Sequence, residues 1–221
     1  MKIDLITLFP DTCEAYLDSS IVGRARRRGL VDIAAVDPRA WAGGRHRKVD
    51  DRPFGGGPGM VMMAPPIAGC LDHLMTQSAK PKLLMTSPQG RKLDQPRVRE
   101  LAAESHLIVL CGHYEGIDER IVELYQPELF SIGDLVISGG ELAALVLVDA
   151  VTRLQPGALG NAESAVADSF TAGEEFDHPS YTRPREFRDL LVPEALISGD
   201  HAAIAKWREA ERNRRSRGMF P

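Results

Sequence analysis

The sequence predicts an α/β fold: a parallel sheet with helices on both faces. Two observations carry that reading. Apolar runs rich in Val, Ile and Leu, at Leu107–Cys111 and Asp134–Ser138, have the texture of strands buried on both faces. Segments of strand and helix character also alternate as far as about residue 151. Each run empties into glycine, at Gly112 and at Gly139–Gly140, where the backbone can turn sharply and a ligand can approach main-chain groups. In open α/β sheets, ligands sit at such strand ends.

Taken in order, Lys2–Phe9 begins as a strand, and Pro10-Asp11 turns the chain into a helix over Thr12–Asp18. Ser19-Ser20 offers a cap for a second helix that Gly29 stops after Arg28, and Val31–Val36 is a short strand ended by Asp37-Pro38. Trp41–Gly59 has no apolar periodicity and reads as a long loop, functional or mobile, not a packed element. Ala64–Met75 is a helix entered through Pro65-Pro66. Lys82–Thr86 is a strand with Ser87–Gly90 as the turn at its end, and Pro96–Ser105 is a helix. After Leu107–Cys111 and a polar spacer comes the second apolar run, then a buried, capped helix over Glu141–Val151. Residues 158–180 are small and polar, so a boundary falls near 157–176; Ala202–Arg215 is a helix anchored by Ile204 and Trp207.

A chain of 221 residues, 43% hydrophobic and 26% charged, can bury a sizeable core. No apolar run approaches the roughly 18–20 residues of a membrane span. The opening MKIDLITLFP begins as a strand, without the charged region and cleavage site of a secretory signal. Cys13, Cys70 and Cys111 are odd in number and widely spaced, which favours packed free thiols in a reducing cytoplasm and excludes a zinc-finger framework. Net charge is −4, yet arginine and lysine gather at Arg24–Arg28, Arg45–Lys48 and Lys206–Arg217. Three basic clusters in a mildly acidic chain point to a localised polyanion-binding surface.

The phosphate loop, the dinucleotide turn, the zinc-protease helix and the nucleophile elbow are all missing from the sequence. Phe54–Met60 is glycine-rich but follows no predicted strand, so composition alone makes it a connector. The turns at Ser87–Gly90, Gly112–Gly116 and Ser138–Gly140 together would build a crevice lined with main-chain donors and acceptors.

The motifs DDRPFGGGPGM, SPQGRKLDQ, CGHYEGIDER, SIGDLVISGGELAAL, DSF and HPSYTRP, in this order, resemble those of the bacterial tRNA (guanine-N1)-methyltransferases of the TrmD type. The resemblance runs from Met1 to about Trp207. It implies an S-adenosylmethionine-dependent enzyme that methylates N1 of the guanosine immediately 3′ of the anticodon. It also implies a SPOUT fold with a carboxyl-terminal trefoil knot, a rare exception to ordinary chain topology. The domains then read as an S-adenosylmethionine-binding knot domain over 1–157, a linker over 158–176, and a small helical tRNA-binding domain over 177–221. That last domain is short of the family's usual carboxyl-terminal helices.

Carried over by motif, the methyl-donor pocket falls on Ser87, Pro88, Gln89, Gly112, Tyr114, Glu115, Ile132, Gly133, Asp134, Leu135, Val136, Ile137, Gly139 and Gly140. The resemblance makes Asp168 the general base and Arg153 the guanine-orienting cation; Asp50 and Ser169, with Arg153, are the expected substrate-binding residues, because their polar groups can match the edges of the guanine and its neighbour. His113 stands where arginine is frequent in the family. The family is often described as magnesium-assisted, which makes Glu115 the candidate contact. The resemblance further implies a cytoplasmic homodimer that shares its active sites between subunits and binds the tRNA anticodon region. Two alternatives stay open on the sequence: a knotted methyltransferase acting on another RNA, and a catalytically silent RNA-binding module.

The chemistry suits those roles. Guanine N1 carries a proton at neutral pH, so its methylation needs a base for that proton and a donor or cation for charge gathering on O6. An aspartate and an arginine suffice.

Overall fold

A computed structural model describes residues 1–160, 169–170 and 176–218. The chain divides into two compact units, Met1–Gly160 and Asn161–Pro221. Asp168 lies outside the described residues.

In the first unit, β1 (Lys2–Ile6), β2 (Asp32–Val36), β5 (Lys82–Lys92), β6 (His106–Leu110) and β7 (Glu128–Ser131) form a five-stranded sheet in the order β2-β1-β6-β5-β7. Every pair in it is parallel. Alternation of side chains splits the core in two. On β6, Leu107 and Val109 face α1 (Pro10–Leu17), α2 (Ser20–Arg27), α4 (Gln95–Ala102) and α6 (Glu141–Arg153). Ile108 and Leu110 face the other way, toward α3 (Ala64–Met75) and α5 (Glu119–Tyr125). A central strand loaded on both faces, each buried Leu or Ile worth about 1.5–3 kcal/mol, is what makes the parallel sheet stable. The expected α/β architecture with helices on both faces is therefore present.

The three cysteines are free and buried as expected, and burial pushes the thiols of Cys13 and Cys70 up to about 11 and about 12. At the amino end of the sheet, His106 is buried between Asp4 (Nε2–Oδ2 2.8 Å) and Ser78 (Nδ1–Oγ 2.7 Å), so this polar group is fully satisfied inside the core.

Four expectations need correction. Asp134–Ser138 is not a strand: Leu135 and Val136 are 50% and 88% exposed, and the run is a passage between β7 and α6. The edge strand is Glu128–Ser131, and with α5 it occupies what reads in sequence as a polar spacer. The reason is anchoring: Asp118 caps α5 by accepting from the Arg120 amide, and the buried Ile121 and Phe130 hold helix and strand to the core. Ser87–Gly90 does not end β5 but is an excursion within it, since Phe130 pairs with Thr86 before it and Arg91 after it. Trp41–Gly59 is not wholly loop either. Val49 is buried, and β3 (Asp50–Asp51) pairs antiparallel with β4 (Val61–Met62).

In the second unit, a hairpin of β8 (Glu186–Phe187) and β9 (Leu190–Leu191) precedes the short helix Glu194–Ile197 and the terminal helix His201–Ser216. The hairpin goes beyond the all-helical expectation for this part. Asp200 caps the terminal helix through the amides of Ala202 and Ala203. Ile204 and Trp207 are half-buried along it. Among the described residues, no helix is long and apolar enough to cross a membrane.

Candidate active site

The excursion of β5 and the carboxyl ends of β6 and β7 open into a cleft of about 450 Å³, a size suited to a small-molecule ligand. Three walls meet there. The β5 excursion supplies Ser87, Pro88 and Gln89; the turn after β6 supplies Gly112, Tyr114 and Glu115. The passage into α6 supplies Ile132, Leu135, Val136, Ile137, Gly139 and Gly140. Of the residues carried over as the donor pocket, Gly133 and Asp134 are the two outside the lining. Gly133 closes a tight turn with Ser131 (Ser131 Oγ–Gly133 O 2.8 Å), and Asp134 pairs with Lys92 at 2.5 Å on the surface.

Main-chain bonds fix the walls. The Gly140 amide donates to the Gly112 carbonyl at 2.7 Å, and His113 forms an antiparallel bridge with Gly139. The Gly112 amide donates to Thr86 Oγ1 at 3.1 Å, tying the turn to β5 where its excursion begins. There is no room for a side chain at this crossing. A Cβ on Gly140 would stand 1.9 Å from Thr86 Oγ1 and 2.8 Å from the Gly112 amide nitrogen. Tyr114 sits at φ 58°, a left-handed position that costs a non-glycine residue energy and is often kept at functional turns.

The glycine-rich loop finds its place here too. Gly59 packs against the Glu115 side chain (a Cβ there would lie 2.4 Å from Oε1), and the Glu115 amide donates to the Met60 carbonyl at 3.0 Å. The Met62 amide then bonds the Gly116 carbonyl at 2.9 Å. Asp50, opposite Met62 in the β3–β4 pair, is therefore held beside the β6 turn, although it does not line the cleft.

Arg153 is not brought to the cleft of its own chain. It ends α6, whose first residue, Glu141, follows Gly140, so about 18 Å of helix separates it from that wall. Ser169 belongs to the second unit, where its Oγ accepts the Asp177 amide at 2.9 Å.

The basic clusters are partly committed. Arg26 bonds Glu14 and Asp18 (both 2.8 Å), and Arg28 donates to the Gly157 carbonyl at 2.6 Å. In the terminal helix Arg212 holds Asp177 and Arg214 holds Glu211, while Lys206, Arg208 and Arg217 are exposed. Among the described residues, no three His, Cys, Asp or Glu side chains gather as a metal site. Glu115 offers one carboxylate, which suits a magnesium ion shared with substrate oxygens and waters but not a cage built by the protein.

Sequence reading missed several parts of the site. Thr86, Phe130 and Ser131 line the cleft without belonging to any turn motif, and His113 lines it beside Tyr114. Three of them carried a signal: Thr86 stands last before Ser87-Pro88, His113 lies in the Gly112–Gly116 turn, and Ser131 opens the motif SIGDLVISGGELAAL.

With this geometry in hand, the comparisons decide the family. The family profile described as "tRNA (Guanine-1)-methyltransferase TrmD" matches residues 1–219. The chain belongs to that family. It is 51% identical over 217 residues to a tRNA (guanine-N(1)-)-methyltransferase of Shouchella clausii, covering 98% of this chain and 88% of the relative. A protein of the same description from Neisseria meningitidis is 49% identical over 98% of this chain and 87% of its own length. One from Moorella thermoacetica is 48% identical over 96% of this chain and 85% of its own.

Proposed function

We propose that this protein transfers a methyl group from S-adenosylmethionine to N1 of the guanosine immediately 3′ of the anticodon in tRNA. The observation that carries the reading is the cleft: three motif turns of a TrmD family chain converge on one volume with exposed main-chain and apolar walls. Exposed Leu135, Val136 and Ile137 suit the apolar faces of a nucleoside, and the backbone of the Gly112 and Gly139–Gly140 turns suits its hydrogen-bonding edges.

When bound, S-adenosylmethionine supplies a sulfonium methyl, whose displacement needs no metal. The chain's own tasks are then positional and protonic. Asp168 takes the N1 proton, and the Arg153 guanidinium holds the charge that develops on O6. Asp50 and Ser169 contact the guanosine and its neighbour once the base leaves its stack. Glu115 is the contact for magnesium, if the family's ion is used by this chain; no step above depends on it.

Arg153 and the cleft are too far apart along α6 to serve one base within a single protomer, which supports a homodimer with shared sites. Leu142 and Val146, one turn apart on α6, are 61% and 49% exposed, and the exposed Tyr16 reaches the same helix through Asp149 at 2.9 Å. That apolar stripe is the surface such a dimer would bury. The knotted chain path belongs to the same reading: after edge strand β7, the chain returns to Gly112 beyond β6 before α6 packs on α2 and α4. A cytoplasmic location follows from tRNA as substrate.

The test is mass mapping of a tRNA transcript incubated with the protein and isotopically labelled donor. A single labelled methyl on that guanine base is expected. A methyl on a ribose, or labelling of ribosomal RNA alone, would move the activity to another RNA. Absence of donor binding by calorimetry would leave a silent RNA-binding module.

A further inference from the structure

Among the described residues, Phe54 is the most exposed large apolar side chain, at 101%. It stands at the tip of the glycine-rich loop, where the Pro53 carbonyl accepts the Gly56 amide at 3.2 Å and turns the chain back. A Cβ added at Gly55 or Gly56 would meet nothing within 4 Å, so the tip projects into solvent. The feet of the loop are fastened. β3 pairs with β4, and the Met63 amide donates to the Val49 carbonyl at 2.7 Å. Met62 bonds Gly116, bridges Ile117 and accepts the Asp118 amide at 3.0 Å. Gly116 and Ile117 line the cleft, so the braced base of the loop stands at its wall.

The residues flanking β3 are cationic. Arg45, His46 and Arg47 precede it and Arg52 follows it, all exposed. Lys48 is held by Asp51 at 3.0 Å, whereas Arg45 and Arg47 form no ion pair among the described residues. A single exposed phenylalanine is ordinary on a protein surface. A wholly solvated ring between unpaired guanidinium groups, on a braced loop, is a different arrangement. It matches the way single-stranded RNA is held: cations take the phosphates, and aromatic faces stack on bases. A protein partner would call for a continuous apolar patch, but Phe54 has Arg52 and Pro53 before it and Gly55, Gly56 and Gly57 after it. Methylation at guanine N1 also requires the target base to leave its stack, which bares the face of a neighbour.

We propose that residues 45–54 form an RNA-gripping finger. Phe54 stacks on an anticodon-loop base beside the target guanosine, and Arg45, Arg47 and Arg52 hold the flanking phosphates. The inference rests on the reading of tRNA as substrate, and it gives Phe54 no contact with the methyl donor.

The experiment compares full-length wild-type protein with Phe54→Ala, Phe54→Leu and Phe54→Trp. The probes are a tRNA transcript, an anticodon stem–loop hairpin and a fully paired RNA duplex. Phe54→Ala should raise the Kd and KM for tRNA about tenfold, with kcat at saturating tRNA near wild type. Donor affinity by calorimetry and the log–log salt slope should not change, because no phosphate contact is lost. Phe54→Leu, apolar but not aromatic, should match Phe54→Ala. Phe54→Trp should bind as wild type, and its added fluorescence should be quenched by the hairpin but not by the duplex. Arg45→Gln and Arg47→Gln should each flatten the salt slope by about one.

Wild-type tRNA affinity in Phe54→Ala, a leucine variant equal to wild type, or equal quenching by hairpin and duplex would each overturn the stacking role. Loss of donor binding in Phe54→Ala would make the loop a cover for the cleft, and a changed oligomeric state would make it a subunit contact; either result overturns the finger. These failures leave a wild-type enzyme that still methylates tRNA. Wild-type protein that binds no tRNA would overturn the finger and the tRNA reading together.

Discussion

The amide of Gly140 donates to the carbonyl of Gly112 at 2.7 Å, joining the first turn of α6 to the end of the central strand β6. This bond closes the back of the cleft, and glycine is obligatory on its donor side. Gly140→Val would drive branched carbon into Thr86 and the Gly112 amide, at an overpacking cost of about 1–3 kcal/mol. Donor binding should vanish from calorimetry while urea unfolding stays cooperative with a lowered midpoint. Gly43→Ala is the comparison: a Cβ there meets nothing within 4 Å, and both measurements should match the wild type.

A shared site makes a prediction about mixed subunits. Asp168→Ala chains retain a cleft, and Gly140→Val chains retain Asp168. Each alone should be inactive on tRNA, whereas exchanged heterodimers should regain about one working site apiece. Proven exchange without any recovery of methyl transfer would restrict each site to one chain.

For tRNA binding, the structure separates basic side chains of equal appearance. Lys206, Arg208 and Arg217 are exposed, while Arg212 is engaged with Asp177 and Arg214 with Glu211. Neutralising Lys206 and Arg208 together should weaken all tRNAs alike and flatten the log–log salt slope by about one for each phosphate left without its cation. Methylation at saturating tRNA should persist. Arg212→Ala should instead lower the melting temperature, because it releases Asp177.

Acid should weaken the edge of the sheet in a defined way. Glu128 on β7 is opposed by its partial burial, but its bonds to Lys82 (2.6 Å) and to Arg97 Nε (2.8 Å) outweigh that and hold its carboxyl below its ordinary value of 4.5. A lowered folded value means stabilisation that is complete above pH 4.5 and lost as pH falls below it. Glu128→Gln should therefore cost about 1 kcal/mol at neutral pH, and the difference should shrink toward zero in acid. Urea unfolding of both proteins across that range measures it.

These outcomes also mark what the sequence could express. Leu107–Leu110 was legible because every residue of that strand packs on one core or the other, which leaves an unbroken apolar run. Leu135, Val136 and Ile137 make the same kind of run for the opposite reason: they are exposed on the cleft. Composition cannot tell apolar residues meant for a core from those meant for a ligand or partner. β7 stayed hidden because only Phe130 and Ser131 of its four residues are buried. The motif turns placed most of the cleft, while Phe130 reaches it through pairing with β5 that no local pattern announces. Asp168, the proposed base, lies outside the described residues.

The excursion in β5 leaves and rejoins the strand against the same partner, Phe130. Its mouth is therefore one residue wide, sealed further by Gly90, where a Cβ would collide with the Phe130 backbone at 2.4 Å. A loop closed in this manner is decoupled from the strand: movement of Ser87–Gln89 need not slide the flanking strand along its neighbour. One wall of the cleft is thus set by a single strand-to-strand contact, while the sheet beneath it keeps its register.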